Sequence, residues 1–158
     1  MTEITFTPIP TADAQSWWDG GTDAYNQPLE QRQSDGTAPC RHCLRNIEKG
    51  KPVLLGAYKP FASTGHFTET GPIFICGEPC ARFVGDNNQL PPVVAERDQF
   101  IIRGYSANEK IDYRTGQIVQ VQDLTNVAAK IFAHSDVKFI HLRSAGYTCF
   151  TTRIDRAG

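Results

Sequence analysis

Two short-spaced cysteine pairs constrain this chain more than any other feature. Cys40-x-x-Cys43 lies in APCRHC, and Cys76-x-x-x-Cys80 lies in ICGEPC. A close pair lets one turn aim two thiolates at one ion, and zinc takes four sulfur or nitrogen ligands tetrahedrally. The intervening residues read as one hairpin, so a fold that joins the pairs must return the hairpin end to the first turn. The spacing therefore makes Cys40, Cys43, Cys76 and Cys80 the ligand set of a zinc site. Pro79 suits a first helical turn and Gly85 a helix end, which predicts a short helix over 79–85. A helix start there would favour thiolates through its amides and dipole. Two other readings stay open. Cys76 can end a buried strand as a core thiol, with Cys80 packed beneath the helix. Cys40 and Cys43 can form a redox pair, although no βαβ pattern surrounds them. His42, lying between two ligands, is expected to point away, exposed beside Arg41.

The chain does not need a metal merely to fold. At 158 residues it fits one domain, 1–158, and can bury roughly 68–70% of its unfolded surface. A net charge of -1 with no basic run lacks the footprint of a nucleic-acid binder. No apolar run approaches the ~20 residues that cross a membrane. The opening MTEITFTPIP does not read as a signal peptide. The expected compartment is the cytoplasm, where disulfides are uncommon. The five cysteines then read as free, metal-bound or reactive.

Patterning predicts an α+β fold: mainly antiparallel sheet, two or three short helices and a zinc-clamped turn. ITFTPIP is an opening strand and TADAQSWW a short helix stopped by Gly20-Gly21. Residues 20–39 are polar and irregular, as a surface loop would be. Strands follow at Pro52–Tyr58 and Pro72–Cys76, and DNNQLPPVV reads as a linker. DQFIIRGYS and EKIDYRTGQIVQV give two more strands, the second bent at Thr115-Gly116. DLTNVAAKIFAH is the strongest helix, with Leu124, Val127, Ala128 and Ile131 on one stripe and Asp123 or Thr125 as cap.

VKFIHLRSAGYTCFTTRI closes the chain as a hairpin. A three-residue SAG loop would pair Arg143 with Tyr147 and His141 with Cys149. Phe139, His141, Arg143, Tyr147, Cys149 and Thr151 then share one face, and Ile140, Leu142, Phe150 and Ile154 share the core face. An imidazole, a guanidinium, a phenol and a thiol on one face suit a ligand pocket. They also suit a half-buried surface with Arg143 stacked on Tyr147. In a catalytic reading Cys149 is the nucleophile, His141 its base and Arg143 an anion anchor. A register slip of one residue would turn Cys149 away. No phosphate-cradling glycine motif and no H-E-x-x-H occurs.

PCRHCL, VLLGAY, ETGPIFI and VKFIHLRSAGYTCFTTRIDRA, in that order, resemble a bacterial family known only as domain of unknown function 1203. The resemblance runs from about Pro39 to Ala157 and implies a small bacterial protein, with no reaction attached. The family pattern falls on Cys40, Arg41, His141, Cys149 and Arg153, which adds weight to a pocket between the CR turn and the closing hairpin. Relatives carry serine at the position of Cys43 and histidine or another residue at Cys76, so the resemblance implies a metal in a subgroup.

The sequence thus predicts a zinc-stabilised binding module with Arg41, Arg143, Tyr147 and Arg153 at a polar patch. Its partner is a small molecule or a protein, not a membrane or a nucleic acid. One alternative is a thiol enzyme using Cys149 and His141 on a small anionic or acyl substrate. The other is a structural or interaction protein with no open cleft.

Overall fold

The structure, a computed structural model, describes residues 2–158. Apolar alternation builds two antiparallel sheets from it. Strands β1 (Ile4–Thr7), β5 (Gln99–Tyr105), β6 (Ile111–Gln120), β7 (Phe139–Ser144) and β8 (Phe150–Arg156) form one sheet, ordered β1-β8-β7-β5-β6. Strands β2 (Glu30–Gln33), β3 (Pro52–Tyr58) and β4 (Gly71–Cys76) form the other in chain order. Helices are short: α1 (Thr11–Trp18), α2 (Pro92–Ala95) and α3 (Leu124–Phe132). The α+β expectation holds, and none of these helices is long and apolar enough to cross a membrane.

Period-two side-chain direction gives the five-stranded sheet two different faces. Phe100, Ile102, Ile140, Leu142 and Ile154 meet Leu124, Ala128 and Ile131 of α3 in the main core. Gly104 of β5 sits where a Cβ would come within 3.1 Å of Ile131 and Thr115, so any side chain there would press on both. Opposite Arg103 the β6 partner bulges, its pairing jumping from Gln117 to Asp112. Thr115 holds that bulge: its hydroxyl donates to the Asp112 carbonyl at 2.6 Å and accepts the Gly104 amide at 2.7 Å. The bend predicted at Thr115-Gly116 is this bulge.

The other face of β8 meets the three-stranded sheet. Phe150 packs with Trp17, Val53, Ile73 and Ile75 in a second core. A third cluster, Phe61, Tyr105 and Phe139, continues that face toward β5.

Three local expectations are corrected. No helix forms over 79–85. A helix would need the Phe83 amide on the Pro79 carbonyl, but it donates to His42 O at 3.0 Å, so the segment is tied to the first cysteine turn instead. Helix α2 lies in the stretch read as a linker. Residues 20–39 hold strand β2, whose side chains are all exposed and leave no apolar alternation to read. Asp23 organises the approach to it, its carboxylate accepting the Tyr25, Gln27 and Ala57 amides. Those bonds, Ala57 first, lower its pKa.

Candidate functional site

Three segments bring the cysteines together. Cys40 and Cys43 sit on a tight turn in which the Leu44 amide donates to Cys40 O at 2.9 Å. The turn closes with Leu44 in the left-handed region at φ 55°. That costs about 1–2 kcal/mol for a residue with a Cβ. Full burial of the Leu44 side chain in the main core returns about 1.5–3 kcal/mol, so leucine is tolerated there. Cys76 ends β4. Gly77 then passes so close to Pro52 that a Cβ would lie 2.7 Å from that ring, and its amide donates to Pro52 O. This close approach turns the chain to Cys80.

The four sulfurs lie within 4.8 Å of one another and can hold a metal ion. All are free thiols, Cys40 buried and the others half-buried. Cys40 Sγ is 3.8 Å from Cys80 Sγ, and Cys43 Sγ is 3.9 Å from Cys76 Sγ. A tetrahedron of sulfurs at the usual Zn–S distance has edges of about 3.8 Å. The amides of His42, Cys43 and Cys76 donate to Cys40 Sγ at 3.3–3.5 Å. Hydrogen bonds from Cys43, Cys76 and Cys80 hold the Cys40 thiol far below its usual range. Cys76 and Cys80 are pushed far up, chiefly by their bonds to the Cys40 sulfur. Four thiols this close cannot all ionise unless a cation sits among them.

His42 and Arg41 differ from expectation. Both are buried. The turn aims His42 inward, where Nδ1 is 3.3 Å from Cys80 Sγ and Nε2 is 2.8 Å from Thr11 Oγ1. The Trp18 ring stands edge-on to it, and Trp18 Nε1 donates to Cys76 O at 2.8 Å. Helix α1 thereby braces the cysteine cluster, a role that nothing in the spacing announced. Arg41 points the other way and donates to Pro39 O and Phe150 O at 2.7 and 2.9 Å. Burial lowers its pKa to about 10 against the pull of Cys149 and Cys40, so it stays charged at neutral pH. It links the CR turn to the closing hairpin.

The hairpin register differs by more than a slip. Ile140 pairs with Ile154, His141 with Arg153 and Leu142 with Thr152, then a bulge sets Arg143 opposite Phe150. The loop is longer than SAG: Thr148 N donates to Ser144 O, Cys149 N to Ser144 Oγ, and Ser144 N to Cys149 O. Phe150 therefore lies on the His141 face rather than with Ile140 and Leu142. Tyr147 is 89% exposed, so it does not stack on buried Arg143.

His141 sits among the rings of Phe61, Tyr105, Phe139 and Phe150, at 4.8–5.1 Å between centroids. Neither ring nitrogen has a hydrogen-bond partner. Burial, then Arg143, Arg153 and Arg103, push its pKa well below the usual histidine value. Arg143 Nη1 donates to Thr148 O at 3.0 Å and lies 3.5 Å from Glu69 Oε2, while its Nε and Nη2 are buried without partners. Glu69 also takes Arg103 at 2.6 Å, a role sequence reasoning missed because Glu69 lies in a polar loop.

Two cavities open on this face. The larger, about 410 Å³, lies where both sheets meet and is lined by Tyr58, Phe61, Arg82, His141, Phe150 and Arg153 among others. Arg153 is held there by Asp155 at 2.7 Å and lies over the Phe139 ring. The smaller, about 240 Å³, is lined by Glu69, Arg143, Tyr147, Thr148 and Cys149 among others. Thus Arg143 and Tyr147 reach one cavity, Arg153 the other, and Arg41 neither. His141 and Cys149 line different cavities, and no hydrogen bond joins them.

A family model described as "Protein of unknown function (DUF1203)" matches residues 37–156, which include all four clustered cysteines, β7 and β8. No curated protein and no solved structure matches the chain.

Proposed function

We propose that the chain, which belongs to the DUF1203 family, is a zinc-stabilised cytoplasmic binding module. The observation that carries this reading is the cluster of four free cysteine sulfurs within 4.8 Å of one another. An all-thiolate, closed tetrahedral set suits a structural metal and leaves no open position for catalysis. Zinc fits it, and a sulfur-only set also accommodates iron.

The residues around the sulfurs favour an occupied site. Three amides already donate to Cys40 Sγ, as outer partners of a ligating thiolate do. With Cys80 as a thiolate, His42 donates from Nδ1 and accepts the Thr11 hydroxyl proton at Nε2. The ion would pin the first cysteine turn, the end of β4 and the segment carrying Cys80. Arg41 then transmits that rigidity to Phe150, which lines both cavities. The larger cavity, at the junction of two sheets, is where a small ligand would bind. Arg153 supplies a polar contact, and Phe61 and Phe150 its apolar wall.

Metal analysis of reduced protein purified without chelator tests the reading. One zinc per chain is expected, and it should be lost in Cys43→Ser. Reduced, folded protein without metal would defeat it, and a red protein with one iron per chain would change the metal and keep the site.

A further inference from the structure

The four cluster sulfurs are not equivalent. Cys40 Sγ accepts the amides of His42, Cys43 and Cys76. Cys80 Sγ has His42 Nδ1 at 3.3 Å. Among the described residues, Cys43 Sγ and Cys76 Sγ have only each other, at 3.9 Å. A hydrogen bond draws charge off a ligating sulfur and makes it a poorer nucleophile. The undamped pair is therefore Cys43 and Cys76.

Access is uneven in the same sense. A surface cavity of about 240 Å³ is lined by Cys43, Cys76 and Cys80, while buried Cys40 does not reach it. Arg45, Lys51, Glu48 and Glu78 also line it, so its walls carry both signs and favour an uncharged reagent over an ionic one. Thiols that are accessible and placed beside a second thiol are the ones that oxidise reversibly. Cys43 and Cys76 meet both conditions together, and neither Cys40 nor Cys149 does. Cys40 is buried, and Cys149 lies outside the cluster.

We propose that Cys43 and Cys76 are the oxidation site of this chain, a pair that a small hydroperoxide converts to a disulfide with loss of the metal. One sulfur of the pair attacks the terminal oxygen of the peroxide. A sulfur–oxygen bond forms, the O–O bond breaks, and the departing oxygen takes the electron pair. The second sulfur then attacks the first. The S–S bond forms, the S–O bond breaks, and hydroxide leaves. The two thiolates are oxidised, the peroxide is reduced, and no further co-reactant enters. Metal binding slows the first attack, and the neighbouring sulfur makes it end in a disulfide. Cys40 and Cys80 remain as ligands, too few for a closed zinc site. Only this release step rests on the metal reading; the choice of pair does not.

The test treats the full, metal-replete chain carrying Cys149→Ser, which removes the thiol outside the cluster, with hydrogen peroxide. Released zinc is read with a chromogenic chelator, and disulfides by peptide mass mapping after the remaining thiols are alkylated. One zinc should leave per disulfide formed. The Cys43–Cys76 linkage should exceed every other pairing by about tenfold, the usual size of an outer-partner effect at a metal ligand. Dithiothreitol with added zinc should restore the starting protein. The same linkage should dominate in chain stripped of metal by chelator. A dominant linkage through Cys40, oxidation that stops at a sulfinic acid, or a Cys43–Cys76 disulfide that retains the zinc overturns the proposal. Metal content before oxidation judges the site, and the linkage after oxidation judges the pair, so the two readings fail separately.

Discussion

The cysteine cluster and the inner face of β7 are both built from buried polar groups, yet they are finished to different degrees. At the cluster, Cys40 Sγ accepts three amides, His42 uses both ring nitrogens and Trp18 uses its indole nitrogen. On the β7 face His141 has neither nitrogen bonded, and Arg143 has two idle nitrogens. Tyr105, stacked on Phe139 of the same face, adds an unpartnered hydroxyl. Among the described residues every unpartnered buried side-chain nitrogen or oxygen lies on this face. A satisfied network holds a structure together, whereas a buried group left without a partner costs stability. The first region reads as a staple and the second as a polar face left unfinished.

The largest break in that contrast should come from metal removal. At a free zinc concentration a thousandfold above Kd, bound metal stabilises the native state by about 4 kcal/mol. Cys40→Ser, or a strong chelator, should remove that contribution, read by urea unfolding with and without added zinc. The five-stranded sheet has its own core, so the chain should remain partly folded rather than collapse to a coil. A variant as stable as the native chain, with zinc dependence unchanged, would strip the cluster of its structural role.

The next effect belongs to the β7 face and is a matter of pH. The folded pKa of His141 is depressed by burial first, then by Arg143, Arg153 and Arg103. The unfolded chain therefore binds a proton there at about pH 6.5 that the folded chain refuses. Stability is full above that value and falls below it, by up to about 1.4 kcal/mol per pH unit, until the depressed folded pKa is reached. Acid also strips metal from thiolates, so the measurement is a difference. His141→Phe should be flatter than the native chain between pH 6.5 and 5 at equal metal loading. Parallel curves would mean that His141 is hydrogen-bonded in solution, and the face would lose its unfinished character.

Arg143→Met probes the same contrast with a smaller expected shift. It keeps the apolar stem, deletes two unpartnered donors together with the Nη1 bond to Thr148 O, and leaves Glu69 paired with Arg103. Apolar replacement of a poorly satisfied buried charge is neutral to stabilising, here by about 1 kcal/mol. Thermal unfolding at neutral pH reads it. A loss of more than about 2 kcal/mol would show the guanidinium to be fully engaged.

The same contrast explains what the sequence disclosed. Residues that act through local spacing were legible: the C-x-x-C turn, the α3 stripe of Leu124, Ala128 and Ile131, and strand β3. The cysteine cluster was legible because ligand chemistry demands that its two pairs meet. The His141 face was not, because it depends on a bulge between Leu142 and Arg143 that no local signal announces. The extra residue moved Phe150 to the inner face, and the longer loop set His141 opposite Arg153 instead of Cys149. His42 was misread for a related reason. Its direction is set by Thr11, 31 positions away, and by a turn with Leu44 in a conformation that leucine rarely adopts. The absent helix after Pro79 failed likewise, since Phe83 bonds to His42 rather than along its own segment.

The smallest expected effect is the sharpest divider between the two regions. Cys149 is as much a cysteine as Cys43, and both are half-buried, so composition cannot separate them. Geometry does: Cys43 Sγ has Cys76 Sγ at 3.9 Å, while the Cys149 sulfhydryl has a lone carbonyl at 3.8 Å. Cys149→Ser should therefore change stability by less than about 0.5 kcal/mol and leave the zinc content untouched. It should also remove the fast-reacting thiol of the native chain, because thiolates bound to a metal are slow nucleophiles and Cys149 is not so bound. If the variant instead lost metal, Cys149 would belong to the staple, and the division between the two regions would disappear.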